Sequence, residues 1–522
     1  MNDKQKDKIM LPFIIFISVI LFFYRLGETA LTNWDEAWFG SVAQDMVSSG
    51  NLLTGKWNGQ TFFYEPPLLV WLLSLSIKVF GESEFWLRSV SAIAGLFTVV
   101  GCYFLTFRIT KSRPAGILSG LIILSDIEFL FRSRQVNVEI LLTVLLLWSM
   151  IFISKAYESN RRRWIFFSAI CLGLAFLTKR ASPVLALPAV GYLLLKTTFR
   201  EHPVPLFIFF ITFITVTLPW YLLSYFKWGD QFINEFFIGY TLNKIKSVNV
   251  SIGTSPFFYL NSIKHAFKFW SLLIPLAAVW AAVTAFRDRK IAGIMIFILT
   301  FLFFLTLAPI KSSWFFLPPH PFLAILIGLF ISRIVKFILR SPVPSGTGRS
   351  RIPLRGTKLH NQIIVISDAA KRRSGIYADI LYSFQLASRR SGFRVGVILV
   401  VIISLAGWQL YRYRHDYIVP DTTGNQAMIS SLAGALSNKG EPIYLDDEYL
   451  PVAVFYSHKK IIPLRFSRTV NRVPSQTSIP DNSLILTNPE TFPALKSATG
   501  ILFEELFSVR DLILVRAKGF KV

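Results

Sequence analysis

The chain is poor in cysteine, histidine and acidic residues. It has only 2 cysteines and 6 histidines, and its 30 acidic residues are outnumbered by 55 Lys and Arg residues. Cys102 and Cys171 both lie inside apolar runs, which is typical of packing residues, and their spacing indicates neither a disulfide nor a metal site. The sequence also lacks a Walker loop, a dinucleotide glycine fingerprint and a zinc-hydrolase motif. Functions that depend on ATP, NAD or a hydrolytic zinc ion therefore have no support.

Apolar residues are what the chain has in excess. Hydrophobic residues make up 53% and aromatic residues 15% of the 522 positions, and the mean hydropathy is +0.51. A soluble domain of this size is far less apolar, so the composition indicates a polytopic membrane protein. Runs long enough to cross roughly 30 Å of hydrocarbon recur along the chain. Each must be helical, because lipid satisfies no backbone hydrogen bonds.

About eleven spans are predicted, with the N-terminus inside the cell and the C-terminus outside. Basic residues precede the first span and no small-residue cleavage site follows it, so we expect this span to be retained. The segment 67–80 is apolar but short, starts after Pro66 and holds Lys78, so we expect it to lie at the interface. The spans cover roughly 10–26, 85–107, 114–131, 137–154, 164–178, 183–196, 204–226, 266–286, 291–308, 319–339 and 395–411.

The net charge is +25, and the basic residues are distributed among the loops as the predicted membrane topology requires. Every short loop assigned to the inside is basic, for example 108–113, 155–163 and 287–290, as the positive-inside rule predicts. A soluble protein with this charge would suggest nucleic acid, but the alternation between loops makes that the poorer interpretation.

Four regions are predicted along the chain. Residues 1–340 form an all-α polytopic membrane domain, 341–394 a basic cytoplasmic linker or insertion, and 395–411 the last transmembrane helix. Residues 412–522 form a small α/β extracytoplasmic domain, since the helix-like run GNQAMISSLAGALSNKG precedes short apolar runs typical of strands. The linker opens with RSPVPSGTGRSRIPLRGT, which is typical of a flexible tether near anionic lipid heads. A specific partner site is the alternative for the linker.

Polar residues from four loops converge on the outer face in this topology. They lie after the first span, between the third and fourth, between the fifth and sixth, and between the ninth and tenth. In that order they are Asp35, Glu36, Tyr64 and Glu65; Asp126, Glu128, Arg132, Arg134 and Glu139; Lys179 and Arg180; and Lys311 and His320. A carboxylate here can take a proton from an attacking hydroxyl or orient it. Lys and Arg can hold a phosphate or diphosphate leaving group, and the spans can hold its lipid tail.

The ordered set of these motifs resembles the GT-C membrane glycosyltransferases, in particular the aminoarabinose transferase and protein O-mannosyltransferase group. The stretch from WDEAWFGSVAQDMVSSGNLL to FWLRSVSAIAG is similar to the first periplasmic loop of that group: an Asp-Glu pair opens the loop, an amphipathic helix follows at 37–49, and Pro66-Pro67-Leu68 precedes the second span. RSRQVNVE, LTKR, LPWY at 218–221, FFYL at 257–260 and KSSWFFLPPHPFLAILIG are further matches. The similarity spans about residues 10–340. Glu65, Glu139 and Arg180 depart from the residues common in the family.

This resemblance implies a GT-C fold and inverting sugar transfer from a polyprenyl-phosphate donor outside the cytoplasm. The donor sugar is a pentose or hexose, and the acceptor is lipid A or another envelope glycolipid. We expect an integral protein of the bacterial inner membrane with its site on the periplasmic side. A protein Ser or Thr is the alternative acceptor, and a transporter of lipid-linked sugars or a structural envelope protein is the alternative function. The resemblance and the residues leave a divalent cation open as a cofactor.

The site residues are predicted in three roles. The catalytic set is Asp35, which orients or deprotonates the acceptor, with Glu36 and Glu139 in support. The phosphate-binding set is Arg134, Lys179 and Lys311, and the substrate-binding set is Trp34, Tyr64 and Glu65. Each has a structural alternative: an N-cap for Asp35, support of the helix dipole for Glu36, snorkelling for the cations and an interface belt for the aromatic residues.

Overall fold

The computed structural model describes residues 3–159, 161–198, 203–239, 255–340, 404–413, 422–446, 450–464 and 479–520. The predicted linker at 341–394 and the first half of the predicted last span lie outside these ranges. Residues 404–412 are helical. Gln409 on this helix donates hydrogen bonds to the carbonyls of Ser125 (2.6 Å) and Phe267 (3.3 Å). The second half of the predicted span therefore packs into the helical bundle.

The described residues up to 340 form a bundle of helices. The helices are α1 (Asp3–Phe23), α2 (Asp35–Ser49), α3 (Leu68–Phe80), α4 (Glu84–Thr110), α5 (Arg113–Leu124), α6 (Ile127–Ser133), α7 (Val138–Ser159), α8 (Arg162–Phe176), α9 (Leu187–Thr198), α10 (Val204–Trp228), α11 (Phe258–Phe267), α12 (Ile274–Ala285), α13 (Arg289–Leu307) and α14 (His320–Arg340). A two-stranded ribbon of β1 (Lys56–Trp57) and β2 (Gln60–Thr61) lies between α2 and α3.

In the described part of the chain, six helical segments are long and apolar enough to cross a membrane, or seven if the bent pair α5 and α6 counts as one span. Shorter apolar helices occupy Met10–Phe23, Leu68–Phe80 and Ser182–Lys196. The prediction of a multi-span membrane protein is therefore confirmed. The predicted span at 114–131 is not one continuous helix, because α5 and α6 meet at 74°. Asp126 begins the second helix by accepting a hydrogen bond from the backbone N–H of Phe129 (2.9 Å), which satisfies a donor that a helix start leaves free.

The long helix α4 lies at the centre of the bundle, against α1, α3, α5, α7 and α14. The Ser83 hydroxyl caps its first turn by accepting a hydrogen bond from the backbone N–H of Trp86. Glycine allows the close approach of α4 to α7: a Cβ on Gly101 would come within 2.7 Å of Leu147. Small residues at helix interfaces have this effect in membranes, where van der Waals packing drives association.

A small α/β domain follows the bundle, as predicted. Its elements are α15 (Gly424–Leu436), β3 (Ile443–Leu445), α16 (Leu450–Ser457), β4 (Ile461–Pro463), β5 (Leu484–Thr487), α17 (Phe492–Thr499), β6 (Ile501–Val509) and β7 (Leu512–Phe520). The strand order is β4-β3-β5-β7-β6. β3 pairs in parallel with β4 and β5, and β7 pairs antiparallel with β5 and β6. The run GNQAMISSLAGALSNKG forms the predicted helix, α15, and short apolar runs form the strands β3, β4, β5 and β7; β6, α16 and α17 were not predicted.

The C-terminal domain clamps the loop between α1 and α3. The Tyr456 hydroxyl accepts a hydrogen bond from the backbone N–H of Leu31 (2.8 Å), and Thr423 donates to the carbonyl of the same residue (2.8 Å). At the ribbon, the Asn58 side chain exchanges two hydrogen bonds with the backbone of Ile461, each 2.8 Å long. A single apolar core continues from the bundle into this domain. The C-terminal domain is thus part of the support of the first loop.

Candidate active site

The loop after α1 presents Asp35 at the start of α2. Trp34 precedes it with φ 67° and ψ −113°, a region that is rarely allowed for a residue with a side chain. Trp34 is the N-cap of α2 and no side chain caps it, so the alternative of an Asp35 N-cap is wrong. Strained backbone of this kind concentrates at functional sites, and here it directs the chain into a helix whose first residue is Asp35.

The Asp35 carboxylate is half-buried and makes no side-chain hydrogen bond or ion pair within the described ranges. Burial raises the pKa of Asp35 above its usual value; the positive charges of Arg132 and Lys179 oppose this, and Glu36 adds to it. A carboxylate that is unpaired, partly desolvated and close to two cations has the properties of a general base.

Lys179 binds Glu139 in a buried ion pair. The Lys179 ammonium donates to Glu139 Oε1, while Oε2 has no hydrogen-bond partner among the described residues. Burial lowers the pKa of Lys179, but the charges of Glu139, Glu65 and Asp35 outweigh it and hold the pKa above its usual value. The predicted acid of the third–fourth loop and the predicted cation of the fifth–sixth loop therefore meet, next to Asp35.

Glu65 and Arg180 contact one another, although both depart from the family pattern. The buried Glu65 carboxylate accepts a hydrogen bond from the backbone N–H of Arg180 (3.2 Å). The Arg180 guanidinium donates to the carbonyls of Tyr64 and Phe236 and lies 4.6 Å from the centre of the Phe236 ring. Burial raises the pKa of Glu65, Lys179 and Arg180 lower it, and Glu139 raises it. These contacts join the first loop to the loop after α8.

Arg132 is a site residue that the sequence analysis left without a role. Its guanidinium lies 4.3 Å from the centre of the Trp314 ring and donates to Glu128 (2.9 Å), and Ser313 donates to the same carboxylate (3.2 Å). Its charge acts on Asp35. The RSR motif predicted a cation here, but only the orientation of α6 decides which arginine faces the site.

The loop between α13 and α14 closes the fourth side of the site. Phe315 lies under the ammonium group of Lys179, 4.8 Å from the ring centre. Lys311 is buried and donates to the carbonyl of Ala308 (3.1 Å). The segment that carries Lys311 therefore reaches the site, as predicted, while the ammonium group of Lys311 holds the end of α13.

Glu36 has a structural environment, which corrects its assignment as a catalytic acid. Its oxygens accept hydrogen bonds from Arg88 Nε and Nη2 (both 2.9 Å). Thr32, through its N–H and its hydroxyl, and the N–H of Val136 donate to it at 2.9 Å. Burial raises the pKa of Glu36, but the Arg88 hydrogen bonds and charge and the backbone donors outweigh it and lower the pKa. A carboxylate saturated in this way is a poor base.

Arg134 also has a structural environment, which corrects its assignment to the donor phosphate. Its guanidinium donates to the carbonyls of Leu21 (2.6 Å), Phe22 (3.2 Å) and Tyr24 (2.7 Å). These are carbonyls at the end of α1, which a helix leaves without partners. Arg134 therefore fixes the end of α1 beside α6.

Aromatic side chains line one wall of the site. Trp38 is packed against Tyr64 (ring centres 4.5 Å apart), Phe62 (5.4 Å) and Trp57 (5.6 Å). Trp34, by contrast, is 58% exposed. Of the two predicted aromatic contacts, Tyr64 belongs to this wall and Trp34 projects from the surface beside Asp35.

The bundle also contains an apolar groove of about 790 Å³. It runs between α3, α4 and α7 and is lined by apolar side chains such as Leu72, Ile93 and Leu141, with Trp148 further along. Leu141 and Glu139 lie in the first turn of the same helix but on different faces of it, so the groove reaches the level of the Glu139–Lys179 pair along α7. A groove of this volume and lining accommodates an extended apolar chain.

In the described ranges no group of three or more His, Cys, Asp and Glu side chains is arranged to hold a metal ion. His320 Nδ1 and Asp126 Oδ2 lie 2.7 Å apart, and both side chains are fully buried. This pair joins the bend between α5 and α6 to the start of α14 and lies behind the site.

Comparison with known proteins gives matches in sequence and in fold. Residues 64–222 match the family described as dolichyl-phosphate-mannose-protein mannosyltransferase. An uncharacterized protein of Aquifex aeolicus is 29% identical over 319 residues, 60% of this chain and 62% of that protein. The undecaprenyl phosphate-alpha-4-amino-4-deoxy-L-arabinose arabinosyl transferase 1 of Pseudomonas fluorescens is 24% identical over 338 residues, 63% of this chain and 58% of that protein. The chain thus matches about six tenths of the length of these relatives.

The crystal structure of ArnT from Cupriavidus metallidurans bound to undecaprenyl phosphate is similar along nearly its whole length. The TM-score is 0.71 at 18% sequence identity, over 97% of both chains. The apo structure of that protein gives a TM-score of 0.72 over the same shares. The GT-C fold expected from the sequence is therefore confirmed, together with the resemblance to the aminoarabinose transferase and protein O-mannosyltransferase group.

Proposed function

We propose that this chain, which has the fold of the GT-C membrane glycosyltransferases, moves a sugar from a polyprenyl-phosphate donor to an acceptor of the cell envelope. The observation that carries the proposal is the unpaired, half-buried Asp35 carboxylate facing the cations Lys179 and Arg132. A base opposite a phosphate-binding cation is what displacement of a phosphate by a hydroxyl requires.

The transfer is a single inverting displacement. The acceptor oxygen attacks the anomeric carbon of the sugar from the face opposite the phosphate, and the bond between that carbon and the phosphate oxygen breaks. Asp35 takes the proton of an acceptor hydroxyl, and the polyprenyl phosphate leaves with the bonding electron pair. Lys179, held by Glu139, and Arg132 stabilise the negative charge that develops on the leaving phosphate.

The apolar groove supports a polyprenyl chain on the donor. It reaches the level of the Glu139–Lys179 pair along α7 and is lined almost wholly by apolar side chains. A prenyl chain on the donor would lie in this groove. The relative in Pseudomonas fluorescens and the ArnT structure, whose names include undecaprenyl phosphate, agree with this chemistry.

We propose an envelope glycolipid such as lipid A as acceptor and the periplasmic side of the inner membrane as the location of the site. A pentose or a hexose fits the same mechanism. A phosphate acceptor needs no general base, and Asp35 would then only position it. A protein hydroxyl is the alternative acceptor, because residues 64–222 match the mannosyltransferase family that modifies proteins.

The test is transfer by the purified full-length protein. Radiolabelled polyprenyl-phosphate pentoses and hexoses are supplied separately with lipid A, a mixed envelope glycolipid fraction or a Ser- and Thr-rich polypeptide. We expect radiolabel on a lipid acceptor and release of polyprenyl phosphate in equal amount. Labelled lipid that crosses the membrane of proteoliposomes without any transfer would support a transporter and end the proposal. Transfer that survives loss of both Asp35 and Glu139 would end the site assignment.

A further inference from the structure

A second polar cavity lies at the opposite end of the bundle from Asp35. The helices α4 and α7 begin beside the site and end at Thr110 and Ser159. Lys336 on α14 donates to the carbonyl of Thr110 (3.1 Å), and Lys290 at the start of α13 binds Glu158 (2.7 Å). These contacts bring the turn between α12 and α13 and the last turns of α14 to this far end.

The cavity has a volume of about 320 Å³ and is lined by cations above an apolar floor. Arg287, Arg333 and Lys336 supply the cations, and Trp280 and Val283 belong to the floor. Val283 is 66% exposed on the outside of the bundle, so the floor continues onto the surface that faces lipid. A phosphate with an acyl chain attached matches this combination of charge and apolar surface.

The positive charge of the cavity is not neutralised by its own walls. Asp288 is the one acidic residue in the lining, and its carboxylate caps α13 by accepting from the N–H of Lys290 (2.9 Å). Within the described ranges, the exposed guanidinium groups of Arg287 and Arg333 make no hydrogen bond or ion pair. Unpaired arginines on two helices can bind one phosphate from two sides, since each offers a planar fork of donors.

We propose that this cavity binds the phosphate headgroup of an anionic phospholipid. The phosphate lies between Arg287 and Arg333, Lys336 adds charge from α14, and an acyl chain follows Val283 along the outside of α12. Basic pockets between membrane helices are suited to anionic headgroups. The bound lipid would hold α12, α13 and α14 together at the end away from the site. The proposal does not depend on the transfer reaction.

The competing explanation is a diffuse attraction of the basic face for anionic lipid. Arg161 and Arg162 provide the matched control, because they are two exposed arginines at the start of α8, outside the cavity lining. Removing either pair lowers the charge of the protein by the same amount. Only the cavity pair should change binding at a defined site.

The experiment is native mass spectrometry of the full-length protein in detergent, titrated with phosphatidylglycerol, phosphatidylcholine or inorganic phosphate. We expect one phosphatidylglycerol to bind more tightly than phosphatidylcholine. R287A/R333A should weaken it about tenfold and R161A/R162A less than about twofold. R287K/R333K should bind with an affinity between those of the unmodified protein and R287A/R333A, because it keeps the charge and loses the planar forks, and its binding shows that the fold is intact. Equal weakening by both alanine pairs, or equal binding of the two lipids, would overturn the proposal. Binding of inorganic phosphate that displaces the lipid would assign the cavity to free phosphate instead.

Discussion

At the residue scale, the hydrogen-bond and ion-pair partners of each side chain distinguish its role in the site. Asp35 and Glu36 are adjacent in sequence, yet one carboxylate is unpaired and the other is saturated by Arg88, Thr32 and Val136. The pKa is raised for the first and lowered for the second. Opposite pKa shifts in two adjacent carboxylates indicate different roles. Asp35 is suited to the chemistry of the site, and Glu36 supports its structure.

Substitution of Asp35 by Asn tests the general base. With a hydroxyl acceptor we expect kcat to fall about 10²–10⁴-fold, because proton transfer is lost. The base must be deprotonated and its pKa is raised, so the kcat/KM of the unmodified protein should fall with decreasing pH above the range where an ordinary aspartate titrates. That limb should be absent from the residual activity of D35N. A D35N protein with near-normal kcat would show that the acceptor is a phosphate or that another group is the base.

Substitution of Glu36 by Gln tests the structural role of the buried pair. A glutamate whose pKa is lowered on folding stabilises the protein above its unfolded pKa, and this contribution is lost as the pH falls through the folded value. We expect E36Q to cost about 3–5 kcal/mol at neutral pH, and the difference should shrink in acid. Thermal unfolding of the purified protein measures it.

E504Q is the matched control for E36Q. Glu504 pairs with Lys518 at 3.0 Å on the surface, where both side chains are about half exposed. Its loss should cost less than about 1 kcal/mol. Equal effects of the two substitutions would contradict the buried role of Glu36.

The sequence predicted part of this site because loop alternation brings Asp35, Glu139 and Lys179 to one side. It could not separate Arg132 from Arg134, which are two residues apart in the loop motif. One faces Trp314 and the other the carbonyls at the end of α1. The partner of Glu36 is Arg88, 52 positions away, and no local pattern marks such a pair.

At the element scale, the clamp on the first loop depends on α16. Tyr456 accepts from Leu31 and donates to Glu84, each at 2.8 Å. We expect Y456F to leave the buried N–H of Leu31 without its partner, and the cost is about 1–3 kcal/mol. The first loop should also become more sensitive to limited proteolysis. Y225F, which changes a half-exposed tyrosine of α10, should change neither stability nor proteolysis.

The groove between α3, α4 and α7 makes a second prediction at this scale. Ile93 lines it and is 47% exposed, so I93W should fill the groove without disturbing the core. Loss of apolar contact with a long polyprenyl chain should raise KM about tenfold with kcat unchanged. A donor with a short prenyl chain should show no change.

L223W is the control for I93W, since Leu223 is an exposed residue of α10 outside the groove lining. An increase in KM that is independent of prenyl chain length, or one shared by L223W, would contradict the assignment of this groove to the donor.

The strands of the C-terminal domain were predictable because short apolar runs between turn residues define β3, β4, β5 and β7. The strand β6 was not predictable, because ILFEELFSV mixes charged and apolar residues without strict alternation. Buried and exposed side chains do not alternate strictly along this strand either. The bend between α5 and α6 was also missed. Ser125 and Asp126 lie within the apolar run of the predicted span. Only the structure shows that Asp126 begins α6 by accepting a hydrogen bond from the backbone N–H of Phe129.

At the scale of the whole molecule, composition and the long apolar runs were sufficient for the membrane class. They gave no information on how the C-terminal domain is used, because its contacts with the first loop join residues about 400 positions apart. Pairings at such separation leave no periodic pattern in the sequence. The α/β class of this domain was therefore predictable from the sequence, whereas its contacts with the first loop were not.

The clamp has a consequence for biogenesis. The segment that presents Asp35 is synthesised about 400 residues before its anchors at Thr423, Tyr456 and Ile461. Until α16 and β4 have been synthesised, the nascent loop that presents Asp35 therefore lacks the hydrogen bonds to Tyr456 and Ile461 that hold it in the folded protein.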